Sequence, residues 1–346
     1  MRKLVVLISF FVASTQLVHS QGSAQNEISG LIKRILPQHA SFFQTSFIPK
    51  DNGQDVFEIE SKAGKIILRG NNGVSIASAL HHYLKNFTKN HISWNGSNLK
   101  LPATLPVVKK KIRVVSPHQY RYYLNYCTGM KTILPAFTGH VPPSFAQKFP
   151  KAKLKKTAWQ GFSDVFILDP DDSLFTVIGK SFTKQLIQTF GTDHLYSADT
   201  FNENTPPTND STYLNDISKK VYQSMASVDP KAVWIMQGWM FSYTPKYWQP
   251  TQIKALLNAV PNDKMIILDL YSESKPMWNK TEAYYGKPWI WCMLHNFGGN
   301  ISLYGRMNNV ANDPVQAKND PASGKMSGIG LTPEAIEQNP VMYELM

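Results

Sequence analysis

Apolar and polar positions change period along the N-terminal part of the chain, and each period predicts an element. Two short alternating runs, Phe57–Glu60 and Ile66–Arg69, predict β-strands. The apolar positions between Val74 and Leu84 recur at helical spacing and predict an amphipathic helix, with a turn at Gly70-Asn71-Asn72-Gly73 before it. These elements indicate a small α/β domain.

A stretch from Gly96 to Val107 follows, with prolines at positions 102 and 106, and it predicts an exit from this domain and a linker. We therefore expect a small α/β N-terminal domain over residues 21–115 and a second domain over residues 116–346.

Beyond residue 115, buried-looking strand patterns alternate with helical patterns. The predicted strands are Tyr122–Cys127, Thr132–Phe137, His194–Ala198, Ala232–Gln237, Met265–Leu270 and Trp289–Leu294, and the predicted helices include Ser173–Phe190, Tyr213–Val228 and Thr251–Val260. This alternation indicates a parallel sheet covered by helices, either a closed barrel or a doubly wound sheet. A (β/α)₈-type barrel is favoured, because polar and aromatic residues follow the carboxyl ends of the strands.

The predicted barrel is incomplete. Only six of the eight strands are visible, and the few residues between Cys127 and Lys131 leave no room for a crossover helix, which takes roughly ten residues or more.

Residues 1–20 have the pattern of a signal peptide. Arg2 and Lys3 precede an apolar run, and Val18-His19-Ser20 supplies a cleavage site, so we expect entry into the secretory pathway. The run is too short for a bilayer span, and no membrane anchor is predicted. Five glycosylation sequons agree with this route, at Asn86, Asn95, Asn209, Asn279 and Asn300.

Composition and charge narrow the class of protein. The chain is 42% apolar and 12% aromatic, which excludes a disordered or coiled-coil protein, and its two cysteines are too few for a disulfide scaffold. The net charge is +12, with lysine clusters at 109–111 and 148–156 that either form a solvated face or attract a polyanion. On the secretory route an anionic glycan is the expected partner rather than a nucleic acid. No cofactor is predicted, since no metal-binding or phosphate-binding motif stands out.

Carboxylates after two predicted strands are the strongest chemical signal. The run Asp199–Glu203 follows one strand and Tyr271-Ser272-Glu273 follows another, and a pair of carboxylates at one barrel rim is what a glycosidase needs. Asp269 rivals Glu273, because period-two alternation puts both on one face. The competing interpretation makes Glu203 a first-turn helix residue with Asn202 as its cap.

Other residues could form a sugar pocket around such a pair. His295 and Asn296 end another strand and could bind sugar hydroxyls, although a structural histidine is equally expected. Flat apolar faces are available from Trp159, Tyr222, Trp239 and Trp291.

Several longer motifs closely resemble glycoside hydrolase family 89, the α-N-acetylglucosaminidases. They are Arg121–Thr128, Leu134–Pro142, Asp199–Glu203, Gln237-Gly238-Trp239 and Trp291–Asn300, and the resemblance runs from about residue 26 to the C-terminus. It implies a small α/β domain, a (β/α)₈ barrel and a helical C-terminal domain. It also implies a lysosomal retaining enzyme that removes terminal α-linked N-acetylglucosamine from heparan sulfate, a substrate that would suit the basic clusters.

The resemblance implies roles for individual residues. Glu203 matches the acid/base and Glu273 the nucleophile. Positions that line the sugar pocket correspond to Asn125, Cys127, Trp159, Asn202, Tyr222 and Trp239. Cys127 either lines the pocket as a thiol or pairs with Cys292.

Two departures from the family stand out. Family members carry a further block, on the order of a hundred residues, where Thr128 here meets Gly129, and they continue into the helical C-terminal domain. We therefore expect a barrel shortened near 128/129 and no helical domain. The alternative to an active glycosidase is a catalytically inactive, secreted glycan-binding protein or a truncated isoform.

Overall fold

The structure is a computed structural model that describes residues 25–93, 96–123, 130–159, 161, 163, 165–298, 304–334 and 339–346. The described residues form two compact units: one contains those up to Gln119 together with Met130, and the other contains Tyr120–Tyr123 and the described residues from Lys131 to Met346. The predicted signal peptide and the sequon residues Asn95 and Asn300 lie outside the described residues. The sequon asparagines at 86, 209 and 279 are exposed.

The first unit contains a four-stranded sheet, a separate pair of strands and two helices. The strands of the unit are β1 (Phe43–Phe47), β2 (Val56–Lys62), β3 (Lys65–Gly70), β4 (His91–Ser93), β5 (Gly96–Asn98) and β6 (Ile112–Val115). Its helices are α1 (25–35) and α2 (Gly73–Phe87), and a 3₁₀ turn covers Ala40–Phe42. The sheet order is β1-β3-β2-β6, and β4 and β5 form a separate pair. Strand β1 runs parallel to β3, whereas β2 runs antiparallel to β3 and to β6.

The predicted strands and helix of this unit are confirmed by β2, β3 and α2. Helix α2 starts after Asn72, whose side chain accepts a hydrogen bond from the Ser75 N–H at 2.8 Å and so caps the helix. Its buried face contains Ile76, Ala79, Leu80, Tyr83 and Leu84, which recur at helical spacing. Strand β6 keeps the chain in this sheet as far as Val115.

The second unit contains a parallel sheet and a small antiparallel sheet. Its strands are β7 (Tyr120–Tyr123), β8 (Ile133–Pro135), β9 (His140–Val141), β10 (Leu154–Trp159), β11 (Val165–Leu168), β12 (Leu195–Ser197), β13 (Asn204–Thr205), β14 (Val233–Gln237), β15 (Met265–Asp269), β16 (Trp289–Met293) and β17 (Met326–Leu331). Its helices are α3 (Phe145–Lys148), α4 (Ser173–Phe190), α5 (Ser211–Ala226), α6 (Trp239–Tyr243), α7 (Pro250–Asn258), α8 (Glu282–Tyr285), α9 (Met307–Asn319) and α10 (Pro340–Leu345). Segment α8 has left-handed backbone angles, and 3₁₀ turns cover Asn262–Lys264, Trp278–Lys280 and Pro321–Ser323. No helix in the described part of the chain is long and apolar enough to span a membrane.

The parallel sheet has seven strands in the order β7-β17-β16-β15-β14-β12-β8. All of its pairings are parallel, including the pairing of β17 with β7, which brings the last strand back to the first as in a closed barrel. Among the described residues, no strand pairs with the outer edge of β7 or β8. The predicted α/β fold with an incomplete (β/α)₈-type barrel is confirmed.

The predicted count of six strands is wrong, because the structure contains a seventh, β17. Its sequence is Met326-Ser327-Gly328-Ile329-Gly330-Leu331, and the two glycines interrupt the apolar pattern that predicts a strand. The glycine at position 328 serves close packing: a Cβ there would lie 2.1 Å from the carbonyl oxygen of Tyr120 on β7. The residue that hides the strand in the sequence therefore allows it to pair with β7.

A second, antiparallel sheet of order β13-β10-β11-β9 follows strand β8 in the chain. Strand β10 pairs with β11 along four residues from Leu154, and its last residues, including Trp159, pair with β13. In the sequence, β9, β10 and β11 lie between β8 and β12, and β13 lies between β12 and β14. The sheet therefore brings residues between positions 140 and 204 close together.

Candidate active site

The two predicted catalytic carboxylates lie at the same edge of the parallel sheet. Glu203 follows β12 and Glu273 follows β15, and the sheet order puts only β14 between those strands. Because the strands are parallel, their carboxyl ends meet at one rim.

Glu203 lies in a bend directly before β13, and the following helix α5 begins only at Ser211 with Asp210 as its cap. The interpretation of Glu203 as a first-turn helix residue and of Asn202 as its cap is therefore wrong.

Glu203 is bound by an indole. The Nε1–H group of Trp239, the first residue of α6, donates a hydrogen bond to Glu203 Oε1 at 3.1 Å. The ring of Trp239 in turn packs against Tyr271 and Phe297, with ring centres 6.2 Å away in each case. Since Tyr271 is two residues before Glu273, this aromatic cluster connects the surroundings of the two carboxylates.

Glu273 is buried, with 3% of its surface exposed. Its carboxylate accepts hydrogen bonds from the backbone N–H groups of His295 at 2.6 Å and Leu294 at 3.2 Å, both directly after β16. Burial raises the pKa of Glu273 to about 7, although the N–H donors and the positive charge of Arg306 act in the opposite direction. His295 has a left-handed φ of 58°, a value that is uncommon outside glycine, and in this conformation its N–H binds Glu273.

Asp269, the rival to Glu273, has a different position. It ends β15, is 2% exposed, and accepts hydrogen bonds from the backbone N–H groups of Met277 and Trp278 at 3.0 to 3.2 Å. Burial raises its pKa to about 6. Asp269 thus connects the two ends of the loop that carries Glu273.

A cleft of about 480 Å³ opens beside Glu203. Its lining consists of the carboxylate itself and of residues from the antiparallel sheet and its loops: His140, Val141, Pro142, Trp159, Val165, Asn202, Glu203 and Asn204. The structure therefore brings Trp159 and Asn202 together with Glu203. Sequence reasoning assigned no role to His140 and Asn204, because their strands are only two residues long and have no periodicity.

Of the predicted pocket residues, Tyr222 lies elsewhere in the structure and Asn296 is deeply buried. Tyr222 lies near the end of α5, where the charges of Asp263 and Asp229 act on it, and both of those residues precede strands of the sheet. The structure therefore places Tyr222 toward the opposite rim from Glu203. Asn296 follows β16 at the correct rim, but it is 1% exposed.

The other candidate residues are either buried or outside the described part of the chain. Trp291 is 1% exposed and packs in the core, so the expectation that it offers a flat face to a sugar is wrong. Cys292 is a buried free thiol. Asn125 and Cys127 lie outside the described residues.

Two further carboxylates lie at this rim. Burial raises the pKa of Asp199 to about 6, and this residue accepts a hydrogen bond from the Gln237 N–H at 3.4 Å. Glu334 has a raised pKa, first from burial and second from the negative charge of Glu203, and the Gly298 N–H binds it. Sequence reasoning missed Glu334, because it follows the unpredicted strand β17.

The basic clusters are partly neutralised by ion pairs. In the first unit, Lys111 and Arg113 both contact Glu58, at 2.7 and 2.6 Å, and Arg113 also contacts Asp51 at 2.7 Å. In the second unit, Lys155 pairs with Asp169 at 3.1 Å.

Known proteins resemble the chain in sequence. The profile of the "Alpha-N-acetylglucosaminidase (NAGLU) tim-barrel domain" matches residues 121–346, and that of the corresponding N-terminal domain matches residues 26–107. Human alpha-N-acetylglucosaminidase is 32% identical over 456 residues, which cover 99% of this chain and 61% of the human protein. The aligned length exceeds the 346 residues of this chain by 110, so at least that many aligned positions have no counterpart here.

Solved structures resemble it in fold. A family 89 glycoside hydrolase from Clostridium perfringens, in complex with 2-acetamido-1,2-dideoxynojirimycin, superposes with a TM-score of 0.86 at 24% identity, covering 98% of this chain and 49% of that one. The same enzyme in complex with GlcNAc-alpha-1,4-galactose superposes with a TM-score of 0.85. The chain thus spans 61% of its human relative and about half of the bacterial one. The family profile covers well over half of the sequence, and the chain therefore belongs to the α-N-acetylglucosaminidase family, glycoside hydrolase family 89.

Proposed function

We propose that the chain is a retaining glycoside hydrolase that removes terminal, non-reducing α-linked N-acetylglucosamine. The observation that carries this proposal is the pair Glu203 and Glu273 at one rim, in different surroundings. Glu203 is half-buried beside an open cleft, whereas Glu273 is buried and held by two backbone N–H groups. A pair of carboxyl groups at one rim is what an acid/base and a nucleophile require.

The stereochemistry of the substrate explains why the protein supplies the nucleophile. In an α-linked N-acetylglucosaminide, the 2-acetamido oxygen is on the same face of the ring as the leaving group and cannot attack from behind. In the first step, an oxygen of Glu273 forms a bond to C1 while the C1–O bond to the leaving sugar breaks, and Glu203 gives its proton to the departing oxygen. In the second step, Glu203 takes a proton from water, the hydroxide oxygen bonds to C1, and Glu273 is released as carboxylate.

Neighbouring N–H groups also support the proposed roles of Glu203 and Glu273. The Trp239 N–H on Glu203 Oε1 orients that carboxyl and leaves Oε2 for the leaving oxygen. The N–H groups of Leu294 and His295 favour the ionised form of Glu273, against the effect of burial.

The test measures hydrolysis of a chromogenic α-N-acetylglucosaminide by the purified chain and by its Glu203→Ala and Glu273→Ala variants. Glu282→Ala is the control, because the Glu282 side chain is 78% exposed. We expect both site variants to lose at least about a thousandfold in rate and the control to retain it.

Added azide distinguishes the two roles. In Glu203→Ala, azide attacks the glycosyl-enzyme and gives the α-azide, whereas in Glu273→Ala it attacks the substrate directly and gives the β-azide. The same azide product from both variants, or full activity in either one, rules out this assignment. An inactive chain that still binds 2-acetamido-1,2-dideoxynojirimycin would instead establish the glycan-binding alternative.

On the family resemblance we also propose heparan sulfate as the natural carrier of the N-acetylglucosamine and the lysosome as the destination. The net charge of +12 supports an anionic carrier. Release of N-acetylglucosamine from a heparan-derived oligosaccharide, compared with release from GlcNAc-α-1,4-galactose, tests the first point. Co-localisation of the tagged chain with an acidic compartment tests the second.

A further inference from the structure

A small cavity lies next to the segment that carries Glu203. It is bounded by the loop from Ala198 to Asn202, by Ile217 and Ser218 of helix α5, and by residues of β14, α6 and α7. Its volume is about 10 Å³, which is close to what a single water molecule requires.

Three oxygen atoms of the residues that line this cavity are buried and have no hydrogen-bond partner in the described part of the chain. They are Thr200 Oγ1, Asn202 Oδ1 and Ser218 Oγ. Thr200 is 7% exposed and Ser218 is 1% exposed, so neither hydroxyl is hydrated from the protein surface. A buried polar atom without a partner is costly, and three of them around one small cavity indicate that they share a partner.

The chemistry of the three oxygens selects water as that partner. The side-chain oxygen of Asn202 only accepts hydrogen bonds, whereas the hydroxyls of Thr200 and Ser218 both donate and accept. A partner that binds all three must therefore be able to donate, and the volume of the cavity excludes anything much larger than water. Buried waters in proteins typically make about three hydrogen bonds of this kind.

Asn202 connects this cavity to the candidate active site. Its side chain lines the cavity and also the open cleft beside Glu203. Because Oδ1 is on the buried side, the NH₂ group is the end of the amide that is left for the cleft. The two ends of an amide have nearly the same shape, so hydrogen bonds decide which end faces which side. A donor in the cavity therefore fixes the orientation of Asn202.

We infer that one ordered water molecule occupies this cavity, bound by Thr200, Ser218 and Asn202, and that it holds the Asn202 amide with its NH₂ group toward the cleft. Thr200 and Ser218 are then positioning residues of the active site, although neither of them lines the cleft. The positioning role rests on the proposed function, because it needs a sugar beside Glu203. The water itself does not depend on that function.

A crystal structure of the chain at about 1.5 Å resolution tests the water directly. We expect one density peak at hydrogen-bond distance, about 2.6 to 3.2 Å, from Thr200 Oγ1, Ser218 Oγ and Asn202 Oδ1. An unfilled cavity, or a peak that does not contact all three atoms, overturns the inference.

Hydrolysis of an aryl α-N-acetylglucosaminide, measured per mole of folded chain, tests the positioning role. Ser218→Ala and Thr200→Val each remove one hydroxyl, and each is expected to lower kcat/KM about tenfold. Thr200→Ser keeps the hydroxyl and is expected to stay within about threefold of the native chain. The control is Ser224→Ala, because Ser224 is also 1% exposed on α5 but donates its hydroxyl to the Lys220 carbonyl oxygen at 2.9 Å and does not line the cavity. It should remain within about twofold.

Combined variants show whether the hydroxyls act through Asn202. In the Asn202→Ala background, Ser218→Ala should lower kcat/KM no further, because the group that the water orients is gone. Thr200→Val and Ser218→Ala together should lose about as much as either change alone, since both disturb the same water.

The outcomes separate this inference from the proposed function. A native chain that hydrolyses no α-N-acetylglucosaminide overturns the proposed function and the positioning role with it, and the crystal structure then decides on the water alone. In an active chain, a full tenfold effect of Ser218→Ala in the Asn202→Ala background overturns the positioning role alone. Equal losses in Thr200→Ser and Thr200→Val do the same.

Discussion

The protonation of Glu273 makes the stability of the fold depend on pH. Burial raises the pKa of this carboxyl from 4.5 to about 7 in the folded chain. Between these two values the folded protein holds a proton that the unfolded chain has already released. The unfolding free energy therefore falls as the pH rises through this window, and the effect is complete above pH 7.

The magnitude follows from the two pKa values. A difference of one pKa unit corresponds to about 1.4 kcal/mol, and the part of the shift that lies between pH 5 and pH 8 gives a loss of about 2.5 kcal/mol. Asp199 and Asp269, whose pKa values are raised to about 6, act in the same direction. The contribution of Glu273 is therefore the part of the pH dependence that disappears when this residue alone is replaced.

Denaturant unfolding at pH 5 and pH 8 measures this contribution in the chain and in Glu273→Gln. A glutamine keeps the shape but does not titrate, so we expect the variant to lose about 2.5 kcal/mol less than the native chain over this range. Its stability at a single pH is not the readout, since the amide cannot accept from both the Leu294 and the His295 N–H groups. Glu282→Gln is the matched control. Equal pH dependence in the native chain and in Glu273→Gln would refute the reasoning.

Three further changes test other contacts. Trp239→Phe keeps the ring but removes the N–H donor to Glu203, and we expect kcat/KM for an aryl α-N-acetylglucosaminide to fall about 10- to 100-fold, as measured by steady-state hydrolysis. Gly328→Ala places a Cβ against the Tyr120 carbonyl, and thermal unfolding should show a loss of about 1 to 3 kcal/mol. Asp269→Asn loses the charged acceptor for two loop N–H groups, and those amides should exchange with deuterium at least about tenfold faster by mass spectrometry.

Two of these changes, Gly328→Ala and Trp239→Phe, have a matched comparison. Gly73→Ala has open space around its new Cβ and should leave thermal unfolding unchanged or slightly improved, because Gly73 is the first residue of helix α2. Trp278→Phe changes a tryptophan that stacks on Trp289 outside the aromatic cluster, and it should leave kcat/KM within about twofold. A loss of activity in Trp278→Phe equal to that in Trp239→Phe would contradict the role of the Trp239 N–H.

The sequence predicts the central strands of the barrel well. Strands β15 and β16 are buried at every position, so their apolar runs need no periodicity to be recognised. The strand β17 escapes recognition because glycine at its contact with β7 weakens the apolar pattern, and its pairing depends on a partner some two hundred residues away. Long-range packing of this kind is not encoded in a local window.

The candidate site divides in the same way. Glu203 and Glu273 could be found because both directly follow strands, and in a parallel sheet this position fixes the rim. Which rim of the sheet Tyr222 lies near depends on its position along α5. The resemblance to the family does not take that position into account. His140 and Asn204 come together only through the antiparallel sheet, whose two shortest strands carry them.

The order of the parallel sheet also indicates which catalytic step an incomplete barrel affects most. Strand β15, which precedes Glu273, is the central strand of the seven, with three described strands on each side, whereas β12, which precedes Glu203, is next to the edge strand β8. The N–H donors to Glu273 follow β16, also inside the sheet. A defect at the open edge therefore acts first on Glu203 and on the cleft beside it, so proton donation to the leaving group should suffer more than nucleophilic attack. An α-N-acetylglucosaminyl fluoride, whose leaving group needs no acid, should then be hydrolysed far faster than an alkyl glycoside. Equally slow hydrolysis of both substrates would contradict this order of effects.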